Sequence, residues 1–467
     1  MATITFYGAA QQVTGSCYLL ESPSFGRLLM ECGMRQGGDA VHRVENTQFR
    51  FEPESLDGVI LSHAHLDHSG LLPRLVQAGF DGPIYCTPAT QELLRIMLED
   101  AWGLYERDLE FENRRRQRRG RKVLQPQYNL DDVKRVLKLC HTLPYRNEFE
   151  LAPGTRLRFL DAGHILGAAI VELCWSEKGE SRRLVFSGDL GNKDSVLMND
   201  PEQPTEADLV MMEGTYGNRN HRSMTETMAE FRDVLASAWR RGGNVMIPSF
   251  AVGRTQEIIF HLGRLHQDGE LDDWQVFLDS PMAIEVTHVY DNWLQIMDSG
   301  DVHSLTSQGR ESLANFLPTL KLTRTPEESM AINRIKQGAL IIAGSGMCTG
   351  GRIRHHFKHR IWDERNTVIF AGFQAQGTLG RLLVDGRKDI RMFGEKFKVK
   401  AEIATLGGFS AHAGQTELID WAKNFQPPPR LLLVHGEAGA LQILSSKLSQ
   451  DLGLDSEIPA EGHTIEI

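Results

Sequence analysis

Short apolar runs that end in glycine, aspartate or histidine recur along the N-terminal half of the chain, a pattern that predicts strands delivering polar side chains at their ends. Ile4 to Ala9, Ser16 to Glu21 and Arg27 to Glu31, separated by Gly and Pro turn positions, read as an opening antiparallel sheet. Thr155 to Leu160 alternates Leu157 and Phe159 with Arg156 and Arg158, a half-buried strand that runs into Asp161-Ala-Gly-His164. Arg182 to Ser187 delivers Gly188-Asp189 in the same way. From about Asp208 the texture changes to strand–helix alternation, starting with the strand Leu209-Val-Met-Met212. A helix is expected near Met224 to Arg241. Ser223 and Glu226 make a capping box there, Met228, Phe231, Leu235, Ala238 and Trp239 form an apolar stripe, and Gly242-Gly243 stop it. Asn244 to Pro248 then leads through Phe250-Ala-Val-Gly-Arg254 into a helix carrying Ile258, Ile259 and Leu262. Ala339 to Ala343 and Thr367 to Ala371 repeat the strand, which predicts an inserted parallel α/β unit. Beyond about Lys400 two strand-like runs end in histidine, Gly408 to His412 and Leu431 to His435.

One loop concentrates the chemistry. Directly after the apolar run Gly58-Val-Ile-Leu61 comes SHAHLDH, which holds His63, His65, Asp67 and His68. Two imidazoles two residues apart point the same way from an extended backbone, and the Asp-His pair after them can serve a neighbouring ion. One loop can therefore seed a two-metal site. His164 and Asp189, each just past a strand, are further candidate ligands.

The 467 residues exceed the usual size of one hydrophobic core, so two domains, or one domain with a large insert, are expected. No apolar run approaches the roughly 18 residues of a membrane span, and MATITFYGAA lacks the basic and apolar regions of a secretory leader. These features predict a cytoplasmic protein that meets no membrane. Six cysteines without a C-x-x-C pair indicate neither a disulfide framework nor a thiolate zinc knuckle. The net charge of −10 argues only weakly against nucleic-acid binding, because a local basic surface can coexist with an acidic total. The strongest such cluster is RRRQRRGRK, Arg114 to Lys122, after the acidic stretch Glu106 to Glu112. It reads equally as a phosphate-holding surface or as a solvated helix end whose charges complement the dipole. Gly344 to Gly351, GSGMCTGG, lacks the Gly-Lys-Ser/Thr ending of a Walker loop, so ATP use is not implied.

In order along the chain, SHAHLDH, DAGHILGA, FSGDLG, MEGTYG, PSFAVGRTQE, GSGMCTGGR, GFQAQGTLGR, FSAHAGQTE and LLVHGE resemble the landmarks of metallo-β-lactamase-fold proteins of the β-CASP branch, the RNA-cleaving nucleases. The resemblance covers nearly the whole length. It is strongest to compact bacterial and archaeal relatives of the nuclease subunit of the eukaryotic cleavage and polyadenylation factor, with no appended RNA-binding domain at either end. It implies an α/β fold in which a metallo-β-lactamase αββα sandwich, residues 1–208 and 396–467, is interrupted by a β-CASP α/β domain at 209–395. It implies two zinc ions (Zn2+) per chain, with His63, His65 and His164 on one, Asp67, His68 and His435 on the other, and Asp189 bridging. The implied reaction is endonucleolytic hydrolysis of single-stranded RNA by a two-metal-activated hydroxide. Asp67 counts among the catalytic residues, and His412, oriented by Glu213, is the general acid. Imidazole suits that role because its ordinary pKa lies near 6.5 and a carboxylate partner keeps it protonated.

Histidine at position 435 favours RNA, because DNA-processing relatives usually lack it. Exonuclease action from a 5′ end, hydrolysis of a small thioester or lactam, and a catalytically silent RNA-binding or scaffold subunit remain as alternatives, and a homodimer is allowed. Arg254, Arg352 and Arg381, each in a Gly-containing loop after a predicted strand, are candidate RNA clamps or else structural arginines tying loops to the strand edge. His355, His356 and His359 read as a polar surface or an RNA contact. One residue departs from the family pattern: Met30-Glu31-Cys32-Gly33 carries Glu31 where the first motif usually has Asp. Glutamate keeps the charge and the acceptor oxygens, so a tolerated change is expected.

Overall fold

The computed structural model describes residues 1–35, 40–45, 48–177, 179–306, 312–372 and 374–467. The chain divides into two compact units, Met1–Asn220 with His412–Ile467, and His221–Ala411.

The first unit is built on two seven-stranded sheets. In one, Thr3–Gly8, Cys17–Ser22 and Gly26–Met30 pair antiparallel, as their alternation and turns predicted. Gly58–Ile60, Ile84–Cys86 and Cys140–Thr142 extend it in parallel, and Thr464–Glu466 closes the other edge. In the second sheet Glu148–Ala152, Thr155–Asp161, Ala169–Glu177 and Glu180–Phe186 run antiparallel. Leu209–Glu213, Arg430–Val434 and Ser456–Glu457 then add in parallel. The facing sides share one core. Tyr18 of the first sheet meets Phe6 and, across the interlayer, Phe186 edge-on, with ring centroids 5.7 Å apart in both pairs. Helix Pro88–Arg118 packs by Cys140–Thr142 of the first sheet and on Leu130–Leu139, which meets Leu72–Gln77, and Ala438–Leu452 packs by Arg430–Val434 of the second. This is the expected αββα sandwich.

The second unit is a parallel six-stranded sheet in the order Leu320–Leu322, Gln275–Leu278, Ala339–Ala343, Val245–Pro248, Thr367–Ala371, Glu402–Leu406. Ala339–Ala343 and Thr367–Ala371 are buried throughout, which is why they read as continuous apolar runs and not as alternating strands. The helix Met224–Arg240 starts on Ser223, whose hydroxyl oxygen accepts the Glu226 N–H. Only half of the expected box forms, since the Glu226 carboxylate takes the Ser223 hydroxyl at 2.9 Å and not its backbone N–H.

Two expectations meet the structure here. The compact unit spans His221–Ala411 where an insert over 209–395 was expected. Leu209–Glu213 is hydrogen-bonded between Glu180–Phe186 and Arg430–Val434, so it belongs to the sandwich, while Glu402–Leu406 is the edge strand of the inserted sheet. Gly408 to His412 is turn and bend rather than strand, because the extended segment of that region ends at Leu406. Phe373, within the landmark GFQAQGTLGR, lies outside the described residues. Among the described residues no helix is long and apolar enough to cross a membrane.

Candidate metal centre

Strand direction gathers the site. Thr155–Asp161, Glu180–Phe186, Leu209–Glu213 and Arg430–Val434 all point the same way in the second sheet, so His164, Asp189, Glu213 and His435 emerge at one edge. SHAHLDH follows Gly58–Ile60 of the first sheet. Its backbone is held from below: Ser16 N–H donates to Asp67 O at 2.8 Å, Cys32 N–H to His68 O at 2.7 Å and Met34 N–H to Leu66 O at 2.8 Å. Gly188 has φ 56°, and a Cβ there would sit 2.8 Å from Ala169 O, so only glycine turns the chain into Asp189.

The predicted ligands converge in two groups. The ligand atoms of His63, His65, His164 and Asp189 lie within 4.8 Å of one another, and so do those of Asp67, His68 and His435. His63 Nε2 is 3.1 Å from His65 Nδ1, and His164 Nε2 is 3.3 Å from that same atom. In the second group His68 Nε2 is 3.2 Å from His435 Nε2, which is 3.8 Å from Asp67 Oδ2. Asp189 Oδ2 lies between the groups, 3.6 Å from His63 Nε2, 3.7 Å from His164 Nε2 and 3.4 Å from His68 Nε2. Asp189 Oδ1 is buried without a hydrogen-bond partner. Ring nitrogens aimed at one another around an unsatisfied carboxylate oxygen are a poor hydrogen-bond network and a good donor set for borderline divalent metals.

Neighbours hold the rings. Ser62 Oγ lies 3.0 Å from His63 Nδ1, and Glu31 Oε2 lies 3.2 Å from His68 Nδ1. Thr215 Oγ1 lies 3.1 Å from His435 Nδ1 and donates to His435 O at 3.1 Å, so it accepts the ring proton. In His68 and His435 the proton belongs on Nδ1, leaving the Nε2 lone pair for a metal, while the Ser62 hydroxyl, able to donate or accept, holds the His63 ring in place. Glu31 is buried with φ 65°, and its other oxygen accepts the Ser62 N–H at 2.8 Å. Ser62 and Thr215 carry no role in the sequence reading, although both stand inside quoted landmarks, beside His63 and two residues after Glu213.

Electrostatics agree with the donor set at His63 and His65. Burial, with His68 adding, holds His63 well below its ordinary value, and burial takes His65 down to about 4, so both rings are neutral donors. For His68, burial is outweighed by Asp189 and Glu31, which raise it. Burial would raise the Asp67 carboxyl, but His435 and His68 beside it bring it down to about 2. Asp189 is likewise ionised against its burial, by His435 and His68. His412 is pushed up to about 9, because the Glu213 carboxylate outweighs burial. His412 Nδ1 sits 3.2 Å from Glu213 Oε1. Glu213 also groups with Asp189 and His435 by distance, yet its oxygens already accept Leu190 N–H at 2.7 Å and Thr215 N–H at 3.2 Å. That leaves it paired with His412.

The three arginines are spent on their own chain. Arg254 is buried, ion-paired with Glu257, and lies over the Phe409 ring. Arg352 donates to Asp279 at 2.7 Å and to the carbonyls of Thr323 and Arg324, and Arg381 pairs with Asp385 at 2.9 Å. These contacts favour the structural alternative over the RNA clamp. His356 is buried 2.6 Å from Asp279, while His355 and His359 are exposed.

Comparison with known proteins covers nearly the whole chain. Residues 11–240 match the metallo-beta-lactamase superfamily, 255–383 the Beta-Casp domain, and 396–459 the Zn-dependent metallo-hydrolase RNA specificity domain. The chain is 40% identical to Ribonuclease TTHA0252 of Thermus thermophilus over 95% of each chain. It is 32% identical to Transcription termination factor FttA of Methanosarcina mazei, over 99% of this chain and 71% of that one. The FttA of Methanothermobacter thermautotrophicus is 30% identical over 100% of this chain and 72% of its own. A solved structure of a protein of unknown function from Enterococcus faecalis V583 superposes with TM-score 0.54 at 13% identity, covering 99% of both chains, which supports the fold alone.

Proposed function

The chain belongs to the β-CASP group of metal-dependent ribonucleases in the metallo-β-lactamase superfamily, and from that premise we propose that it is a two-zinc endoribonuclease acting on single-stranded RNA. The observation that carries this reading is the position of Asp189 Oδ2, within 3.7 Å of nitrogens from both ligand groups. His63, His65 and His164 would hold one ion, Asp67, His68 and His435 the other, and Asp189 both. When bound, the two ions supply water activation near neutral pH and neutralise the non-bridging phosphate oxygens.

The remaining needs of phosphodiester hydrolysis fall to the protein. The departing 3′ oxygen requires a proton. His412, held through Nδ1 by Glu213, carries one on Nε2. Glu213 is fixed by two backbone N–H groups, so it turns the imidazole without competing for a metal. Glu31 and Thr215 hold their rings in the ligating tautomer, and Ser62 holds the His63 ring in place. A silent binding subunit would not need this full donor set, and hydrolysis of a small thioester or lactam finds no support among the relatives.

Zinc-replete protein and an Asp189→Ala control, incubated with 5′-labelled single-stranded RNA and matched DNA, test the reading on a sequencing gel. Internal RNA cuts that vanish in the control are expected. A ladder retreating only from the 5′ end would replace the endonuclease with an exonuclease, and uncut RNA would leave the binding role.

A further inference from the structure

The basic cluster Arg114 to Lys122 takes no part in the site, and its surroundings distinguish it from an ordinary helix end. It closes the helix Pro88–Arg118, 31 residues long. The first turn is tied to the metal centre, since the Thr87 and Thr90 hydroxyls both donate to Gly167 O, at 2.7 and 2.9 Å, in the loop that carries His164. At 1.5 Å per residue the arginines begin about 40 Å further along. Tyr105 stacks on Tyr128, and Asn113 exchanges hydrogen bonds of 2.9 and 2.8 Å with the backbone of Leu124, so the returning chain braces this end.

Two features of the braced end are unexplained by the fold. Arg114, Arg115 and Arg116 are paired with Glu110 and Glu112 one turn back, but among the described residues Arg118, Arg119, Arg121 and Lys122 have no acidic partner. All four are exposed. Their mutual repulsion opposes the helix end, and the dipole of one helix terminus compensates only within its last turn. Phe111 is 71% exposed and stands four residues before Arg115 and seven before Arg118, on the same helical face as Leu104, itself 42% exposed. A face of unpaired guanidinium groups around a bare aromatic ring, on a chain of net charge −10, is complementary to a polyanion that also offers flat rings.

We propose that this end of the long helix is an accessory RNA-binding surface that grips single-stranded substrate far from the cut. The proposal rests on the ribonuclease reading. Guanidinium groups of Arg118, Arg119 and Arg121 hold phosphates, and Phe111 stacks a base. At 3.4 Å per stacked nucleotide, a strand spanning both places has about twelve nucleotides between them.

The test compares wild type with Arg118→Gln/Arg119→Gln/Arg121→Gln, with the matching triple lysine variant, and with Phe111→Ala. Binding is read by fluorescence anisotropy and cutting by gel, on RNA of about thirty nucleotides and on one of about five, which is too short to reach both places. The glutamine variant should bind the long RNA about tenfold more weakly, with its log–log salt slope flatter by about 2, at 0.7 per phosphate lost. Its handling of the short RNA should match wild type, the lysine variant should retain the long-RNA affinity, and Phe111→Ala should weaken it without changing the salt slope. Equal affinity and equal salt slope of the glutamine variant and wild type on long RNA would overturn the proposal and leave this face to an acidic protein. Wild type that binds but cuts neither RNA would overturn the ribonuclease reading instead, and the binding comparison would still decide this one.

Discussion

In the proposed mechanism His412 separates metal binding from chemistry within a single side chain. It touches Glu213 and lies 3.9 Å from Asp189, yet it belongs to neither ligand group. His412→Asn should therefore lower kcat by about 10²- to 10⁴-fold, the usual worth of a positioned general acid, with zinc content by metal analysis unchanged. A variant that lost zinc in step with activity would make His412 a ligand. Glu31 is a different kind of residue. Its two oxygens span Ser62 N–H and His68 Nδ1, so the extra methylene relative to aspartate is used by the geometry. Glu31→Ala should weaken zinc binding about 10- to 100-fold, as loss of a ring-orienting carboxylate does. Glu31→Asp, which retracts the carboxylate from one of its two contacts, should not raise activity, and a sharp rise at constant zinc would show the natural residue to be a handicap.

Within the inserted unit, one loop-end carboxylate ties several elements together. Asp279 follows the strand Gln275–Leu278 and is fully buried. It accepts from Thr323 Oγ1 and Ser329 Oγ, both at 2.6 Å, and from Arg352 at 2.7 Å, with His356 Nε2 at 2.6 Å. Removing it strands four polar or cationic partners in low dielectric, so Asp279→Ala should destabilise this unit by about 3 to 5 kcal/mol in urea unfolding. The same unit carries an acid sensitivity. His261 is buried with Nε2 unsatisfied, its ring 5.4 Å from Phe409. Burial, with Arg264 and Arg254 adding, pushes it down to about 3. The folded state thus prefers the neutral ring, and the unfolded chain takes up a proton near pH 6.5. Its contribution is present above that pH and is lost as pH falls from about 6.5 towards 3, at up to about 1.4 kcal/mol per pH unit. His261→Phe should flatten the fall in melting temperature over that range, and parallel curves for variant and wild type would refute the assignment.

For the whole molecule, the proposed metal ligands belong to one unit. All seven predicted ligands lie in Met1–Asn220 and His412–Ile467, brought from strand ends of both sheets of the sandwich. Zinc at about a thousand times its dissociation constant would stabilise that unit by about 4 kcal/mol. Chelation followed by calorimetry should accordingly lower a transition of the sandwich and leave the unfolding of His221–Ala411 in place. A uniform loss across both units would mean that they unfold together.

The sequence by itself marked the candidate ligands and determined most of the strands. Metal donors are few residue types at tight spacing, and buried strands are short apolar runs, so SHAHLDH, His164, Asp189 and His435 could be read in one dimension. The family resemblance added the pairing of His412 with Glu213, whose 3.2 Å approach the fold then supplied. Only the tertiary structure decided which unit owns Leu209–Glu213, because an apolar strand carries no mark of the sheet it will join until its neighbours are hydrogen-bonded to it. It alone separated Arg254, Arg352 and Arg381, engaged by Glu257, Asp279 and Asp385, from the unpaired arginines at the end of the long helix. A guanidinium is equally charged in either setting, and what distinguishes them is the carboxylate that folding does or does not bring within reach.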